Sequence, residues 1–157
     1  MSSQKFPIVE KVGAFIIRRN GEGLHELLLF RHADLPEVPV QIPGGTLEVG
    51  RETIEEALHR EVLEESGLAG LKIIRKLGVS DWFWNQEQFW VKRHVFLLEA
   101  PCDTPDTWIH AVTGNGSDAE LRFAYHWLRP TDEFGLGGDL GIFLNGEHLP
   151  ELFSPSP

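Results

Sequence analysis

Segments rich in Val, Ile and Phe, and an alternation of apolar and polar residues that is partial over 24–32 and regular over 121–128, are typical of β-strands. The predicted strands cover residues 8–19, 24–32, 38–42, 71–84, 88–99 and 121–128. Asn20-Gly21-Glu22-Gly23 supplies turn residues between the first two strands, and residues 85–87 separate the fourth from the fifth. The pattern therefore predicts two β-hairpins, a short strand after the first hairpin, and a last strand that follows one long loop over residues 101–116.

One helix is predicted over residues 54–66, between two local stop signals. Thr53 is followed three residues later by Glu56, which is the spacing of a capping box, and Gly67 stands where a left-handed residue ends a helix. Apolar residues within 131–149 permit a second helix, although several glycines disfavour it. Hairpins before and after one well-defined helix predict a mixed sheet covered by helices, in the α+β or α/β class.

Size and charge narrow the range of functions. A chain of 157 residues suits a single domain over residues 1–157, with 154–157 as a flexible tail. The net charge of -10 argues against binding to a nucleic acid duplex or an anionic membrane. The single cysteine, Cys102, and the lack of a long apolar run predict a protein of the reducing cytoplasm, outside the membrane.

Acidic side chains interrupt the apolar side of the predicted helix. Ile54, Leu58, Glu61 and Glu65 fall along one row, and Glu64 adds a third carboxylate beside the last two. Like charges at this spacing destabilise an isolated helix by about 0.2–0.5 kcal/mol per pair, and a divalent cation would remove that cost. Oxygen ligands without cysteine suit Mg²⁺ or Mn²⁺. The alternative is a solvated acidic end of a helix.

The segment around this helix, residues 44–68, reads GGTLEVGRETIEEALHREVLEESGL. It resembles the signature of the Nudix hydrolases, G-x5-E-x7-R-E-U-x-E-E-x-G-U, in which U is aliphatic. The matching positions are Gly45, Glu52, Arg60, Glu61, Val62, Glu64, Glu65, Gly67 and Leu68. Six residues, not five, separate Gly45 from Glu52, so either one residue is inserted near 50–51 or Arg51 occupies the place of the glutamate. An insertion is the simpler account, because it leaves the helix spacing unchanged.

The resemblance implies a fold and a reaction. The fold is an α/β/α sandwich with a mixed, largely antiparallel sheet and a signature loop–helix–loop. The reaction is hydrolysis of a diphosphate bridge in a nucleoside diphosphate linked to a moiety X, which makes the chain a pyrophosphohydrolase dependent on Mg²⁺ or Mn²⁺. The small-molecule substrate would be a nucleoside triphosphate, a dinucleoside polyphosphate or a nucleotide sugar. Because Nudix proteins are often dimers, a second copy of the chain is a candidate partner.

The same resemblance assigns roles to residues of the signature. It implies that Glu61, Glu64 and Glu65 bind the metal, with a backbone carbonyl of residue 44 or 45. Arg60 orients a carboxylate, so the predicted catalytic residues are Arg60, Glu61 and Glu64. Glu52 would brace the loop. The general base is open among four acids, which are Glu61, Glu87, Asp118 and Glu120.

Candidate substrate-binding residues lie outside the signature. Five aromatic residues stand in the second hairpin, and a base could stack on Trp82 or Trp84, although cross-strand packing is the commoner use of such residues. Arg31 and Arg93 could meet a phosphate group, although strand cations are more often solvated. Two other readings remain, a Nudix-fold nucleotide sensor without turnover and, more distantly, an isoprenoid diphosphate isomerase.

Overall fold

The computed structural model describes residues 6–114, 120–131, 134–136 and 138–153, so the predicted tail at 154–157 lies outside the described residues. In the described part of the chain, seven strands form one sheet, and one long helix packs on one of its faces. The strands are β1 (Ile8–Arg19), β2 (His25–His32), β3 (Gly44–Thr46), β4 (Lys72–Trp84), β5 (Phe89–Glu99), β6 (Thr107–Ala111) and β7 (Arg122–Leu128). The helices are α1 (Ile54–Ser66), a 3-10 helix at Gly138–Phe143 and the one-turn α2 (Pro150–Phe153).

The sheet is mixed, with strand order β4-β5-β1-β2-β7-β6 and β3 placed beside β1. Among the described strands, only the pair of β1 and β5 is parallel, with Ile8 opposite Trp90 and Ile17 opposite Glu99. All other pairs are antiparallel, and β1–β2 and β4–β5 are the two predicted hairpins. The predicted mixed, largely antiparallel sheet is therefore confirmed.

Apolar side chains on the two faces of the sheet form two separate cores. On β1, Val12, Ala14 and Ile16 pack with α1, whereas Phe15 and Ile17 pack on the opposite face with the 3-10 helix and α2. Because both faces are covered, residues 12–18 of β1 are buried without interruption, as expected for a central strand. This arrangement is the predicted α/β/α sandwich, with a thin second helical layer.

The sheet opens near its centre, because β2 and β3 pair with different parts of the same edge of β1. Residues 17–19 of β1 pair with β2, and residues 11–13 pair with β3. The prediction of a strand at residues 38–42 was wrong, because only Gln41 of that segment pairs, exchanging backbone hydrogen bonds of 2.9 and 3.0 Å with Phe30. Pro39 has no backbone N–H, which limits the ladder that the segment can form. The short strand before the helix is β3.

Two further expectations were wrong. The predicted loop at 101–116 contains β6, in which the half-buried Trp108 and His110 alternate with exposed neighbours; residues 115–116 lie outside the described residues. The helix permitted over 131–149 is only the 3-10 helix, while residues 132, 133 and 137 lie outside the described part of the chain. The glycines explain its shortness, since glycine costs about 1 kcal/mol in a helix. Among the described helices, none has the length and apolar character needed to cross a bilayer.

Candidate active site

Both ends of α1 are fixed by the local contacts that the sequence predicts. The backbone N–H of Glu56 donates to Thr53 Oγ1 at 3.1 Å, and the backbone N–H of Thr53 donates to Glu56 Oε1 at 2.8 Å. Gly67 adopts φ 82°, and its N–H donates to the carbonyl of Leu63. The helix thus begins and ends where the capping box and the glycine predict.

The carboxylates of Glu61 and Glu65 face the backbone of β3. Glu65 is buried, and its Oε1 accepts a hydrogen bond from the N–H of Gly44 at 2.9 Å. Glu61 lies so close to Gly45 that a Cβ at that position would stand 2.1 Å from the Glu61 carboxyl carbon. Glycine at position 45 is therefore a steric requirement, because it leaves room for the Glu61 carboxylate. The predicted row of two apolar and two acidic residues is confirmed, with Leu58 buried on the same side.

Arg60 connects the signature loop to the acidic face of α1. Its Nε and one terminal nitrogen donate to the two carboxylate oxygens of Glu52 at 2.9 and 2.7 Å. The other terminal nitrogen donates to Glu61 at 2.9 Å and to Glu64 at 3.1 Å. The hydrogen bond from Arg60 lowers the pKa of Glu52, and the acidic neighbours, first of all Glu52, raise the pKa of Arg60. Both groups stay charged at neutral pH.

These contacts also locate the extra residue of the signature. Glu52, and not Arg51, receives the Arg60 guanidinium. A turn joins the Arg51 N–H to the Glu48 carbonyl at 3.1 Å, and Gly50 within that turn has φ 79°. Glycine adopts this left-handed conformation without strain, so the turn absorbs the insertion and Glu52 keeps its place.

The donor set of this site suits a hard divalent cation. Glu61, Glu64 and Glu65 could supply carboxylate oxygens, and the missing side chain of Gly45 leaves room for that of Glu61. Oxygen-only ligands fit Mg²⁺ or Mn²⁺ better than zinc. Within the described residues, no three His, Cys, Asp or Glu side chains are grouped as a ready-made metal site. The three glutamates are held by other groups of the protein. Arg60 donates hydrogen bonds to Glu61 and Glu64, and the backbone N–H of Gly44 donates to Glu65.

A cavity of about 510 Å³ lies beside the Glu65 carboxylate, at the opening of the sheet. Gly44, Gly45 and Glu65 form part of its wall, and Lys11 and Arg93 contribute positive charge. Aromatic and aliphatic side chains form much of the remaining wall, namely those of Val12, Phe30, Val38, Val40, Ile42, Phe123, Leu136 and Leu140. The cavity therefore combines an acidic edge, two cations and an apolar wall, which suits a ligand with an anionic and an apolar part.

Of the four predicted substrate-binding residues, the structure brings only Arg93 to this cavity, where it pairs with Asp139 of the 3-10 helix. Arg31 lies between Phe30 and His32, both of which line the cavity, but Arg31 itself is exposed and is not part of the cavity wall. Trp82 and Trp84 pack against each other in the second hairpin, with ring centroids 5.8 Å apart. Neither tryptophan lines the cavity, and their assignment stays a prediction.

Lys11 and Asp139 are cavity residues that the sequence analysis did not single out. In the sequence, Lys11 is marked only as a basic residue of a predicted strand, two positions before Gly13. In the structure, Gly13 lies against Leu140 and Arg93. Asp139 stands in a glycine-rich segment, and the sequence of that segment does not predict the contact of Asp139 with Arg93 of β5. Among the candidates for the general base, Glu87 and Glu120 are exposed and do not line the cavity, and Asp118 lies outside the described residues.

Strands β6 and β7 support the other end of α1. The hydroxyl of Tyr125 donates to the backbone carbonyl of Glu65 at 2.8 Å, and Trp108 stacks on the Tyr125 ring with centroids 4.8 Å apart. Burial and the nearby Glu65 raise the pKa of Tyr125 far above its ordinary value, so its hydroxyl remains a donor. The position of Glu65 is thus fixed from both its side chain and its backbone.

Comparison with known proteins places this chain in a class. A family model described as the NUDIX domain matches residues 8–138. Similar solved structures include a MutT protein from Methanosarcina mazei Go1, with 23% identity, 80% of each chain covered and a TM-score of 0.52. A search of curated proteins returned no match.

Two further solved structures are similar over most of this chain. A C. elegans Ap4A hydrolase binary complex has 20% identity and a TM-score of 0.52, covering 76% of this chain and 79% of that one. A UDP-X diphosphatase has 20% identity and a TM-score of 0.57, covering 97% of this chain and 64% of that one. At these identities the likeness is one of fold.

The loop–helix–loop with its glutamates on a mixed sheet defines a Nudix domain. Since the family model covers most of its length, the chain belongs to the Nudix family. This membership supports a Nudix-type pyrophosphohydrolase, the class of enzyme that the signature predicts.

Proposed function

We propose that this chain hydrolyses a diphosphate bridge in a small nucleoside diphosphate derivative, with Mg²⁺ or Mn²⁺ held by Glu61, Glu64 and Glu65. The observation that carries the proposal is the contact of the Glu65 and Glu61 carboxylates with Gly44 and Gly45, which form part of the wall of a cavity of about 510 Å³. A structural helix would send these acids to water, whereas here Glu65 is buried beside the cavity.

Some residues of the chain would supply positive charge for the substrate, and others would hold the proposed metal ligands in position. A bound divalent metal lowers the pKa of a water molecule and neutralises negative charge on phosphate oxygens. Lys11 and Arg93 would attract the phosphates of a substrate that a net charge of -10 otherwise repels. Arg60 would keep the glutamates in place as a positioning residue, through its contacts with Glu61 and Glu64. Glu61 is the general-base candidate that faces the β3 backbone.

The proposed substrates are a nucleoside triphosphate, a dinucleoside polyphosphate or a nucleotide sugar. The apolar wall of the cavity supports binding of a base or sugar next to the phosphates. The names of two structurally similar proteins, an Ap4A hydrolase and a UDP-X diphosphatase, motivate the inclusion of their substrate classes in a test. Trp82 and Trp84 would contribute if a long substrate reached the second hairpin, and a Trp84→Leu variant tests this through the KM for a dinucleoside polyphosphate.

Turnover tests the proposal directly. The protein is incubated with Mg²⁺ and a panel that includes each of the three substrate classes, and the products are separated by ion-exchange chromatography. We expect cleavage at a phosphate bridge of at least one compound and no cleavage in the presence of a chelator. Tight nucleotide binding without cleavage of any compound would refute the enzyme and favour the nucleotide sensor.

The proposal also includes a cellular location and an oligomeric state. The single cysteine is exposed and free, which suits a reducing cytoplasm. A homodimer is the proposed oligomeric state, and light scattering of the purified protein tests it.

A further inference from the structure

The last turn of α1 carries two of the proposed metal ligands in an unfavourable electrostatic position. Glu64 and Glu65 stand at the C-terminal end, where the helix dipole is negative, and this turn contains no basic residue. In addition, the last four carbonyls of any helix have no partner within the helix. The turn therefore needs donors from elsewhere in the fold.

Strands β6 and β7 supply those donors. The indole N–H of Trp108 donates to the carbonyl of Ser66 at 2.9 Å, and the Tyr125 hydroxyl donates to the carbonyl of Glu65 at 2.8 Å. The carbonyl of Glu64 accepts from His110 Nε2 and from the backbone N–H of Thr113, both at 3.0 Å. With the Gly67 N–H on Leu63, all four terminal carbonyls are satisfied.

The end of β6 also limits the side chain of Glu64. A Cβ built on Gly114, which has φ 98°, would stand 2.7 Å from the Glu64 carboxyl carbon. The backbone after β6 thus lies directly against the carboxylate. Gly114 thus confines the side chain of Glu64, and the Gly44 N–H confines that of Glu65. The donors on β6 and β7 hold the backbone of the same helical turn.

We propose that Trp108, His110 and Tyr125 form a carbonyl clamp that positions Glu64 and Glu65 for metal binding. The clamp rests on the proposed function, because its purpose is to set the metal affinity of the site. These three are positioning residues, since each acts through a backbone carbonyl of α1. Loss of one donor lets the last turn loosen and displaces the ligands, whereas the rest of the sheet keeps its contacts.

Variants that remove one donor and keep the ring test the clamp. Tyr125→Phe removes only the hydroxyl, and Trp108→Phe, on an edge strand, removes the indole N–H. Trp127→Phe is the matched control, because its indole N–H donates to the Pro105 carbonyl at 2.9 Å and not to α1. His110→Ala removes the donor on Glu64, and His110→Gln supplies an amide donor in its place as a rescue.

The principal readout is the Mg²⁺ concentration for half-maximal turnover, together with direct Mn²⁺ binding measured by electron paramagnetic resonance. We expect each clamp variant to need about tenfold more metal, at the low end of the effect of groups that orient metal ligands. The control and His110→Gln should stay near the wild type. Unchanged metal affinity in Tyr125→Phe and Trp108→Phe, or an equal shift in Trp127→Phe, would overturn the clamp.

Amide hydrogen exchange of the metal-free protein separates failure of the clamp from failure of the proposed function. In the clamp variants the amides of residues 66–67 should exchange about tenfold faster, while those of β1 keep their protection. If the wild type neither binds Mn²⁺ nor cleaves any nucleotide, the proposed function fails, and so does the clamp's role in metal binding. Faster exchange at residues 66–67 would then support only the hydrogen-bonding part of the clamp, and unchanged exchange would overturn that part too.

Discussion

The guanidinium of Arg60 donates to both carboxylate oxygens of Glu52, at 2.9 and 2.7 Å, and so ties the signature loop to the helix. Glu52 Oε1 also accepts the backbone N–H of Glu48 at 2.9 Å. A paired, largely enclosed carboxylate of this kind is held in its charged form. The stability of the loop should consequently depend on pH.

Glu52→Gln tests this dependence. Because Arg60 lowers the pKa of Glu52 below 4.5, the contribution of the pair is present above pH 4.5 and is lost as the pH falls through the lowered pKa. Urea unfolding should show a constant difference between wild type and variant at neutral pH that narrows below pH 4.5. Glu22→Gln, in an exposed turn, serves as the control. A difference that does not vary with pH would contradict the pairing.

Glu65→Gln should abolish most activity and leave the fold intact. The amide keeps an oxygen that can accept the Gly44 N–H, but it removes the charge that a metal requires. We expect turnover to fall by at least about 100-fold, since even groups that only orient ligands cost 10–100-fold. Glu55→Gln, in the exposed first turn of α1, is the matched control. Wild-type turnover in Glu65→Gln would refute the ligand assignment.

Gly45→Ala should displace the Glu61 carboxylate. A methyl group at this position would stand 2.1 Å from the carboxyl carbon, and a shift of about 1 Å in a catalytic group can cost about 100-fold in rate. The measurement is kcat/KM, with circular dichroism as the test of folding. Gly21→Ala has no neighbouring atom within 4 Å and should be neutral. Equal activity of the two variants would remove Glu61 from the site.

Arg93 and Arg31 can be distinguished by the same substitution. Arg93→Gln removes a charge from the cavity and keeps donors for Asp139, so we expect KM to rise about tenfold, equal to about 1.4 kcal/mol of binding. Arg31→Gln, at an exposed position outside the cavity wall, should leave KM unchanged. The reverse result would mean that the substrate binds at Arg31, outside this cavity.

The features that sequence alone could predict are those set by neighbouring residues. The limits of α1 depend on Thr53, Glu56 and Gly67, all within or next to the helix, and these contacts do not need the rest of the fold. The hairpin strands follow from turn residues and alternation in the same way. Local determinants of this kind are the most readable part of a sequence.

The features that sequence missed depend on register and on distant partners. Arg31 and Arg93 look alike in the sequence, and only strand pairing decides that Phe30 and His32, not Arg31, face the cavity. Strand β6 was not predicted because it is short and is stabilised by distant partners, namely pairing with β7 and the hydrogen bond from Trp108 to α1. Contacts across many residues cannot be read from a local pattern.

The parallel pairing of β1 with β5 has a consequence for the order of folding. Ile8 lies opposite Trp90, so the middle of the sheet cannot close until more than half of the chain has left the ribosome. The acidic helix, by contrast, has its start and stop signals within about fifteen residues and can form transiently during synthesis. A nascent chain would thus carry its acidic helix before Arg93 and the later residues of the cavity wall have been synthesised.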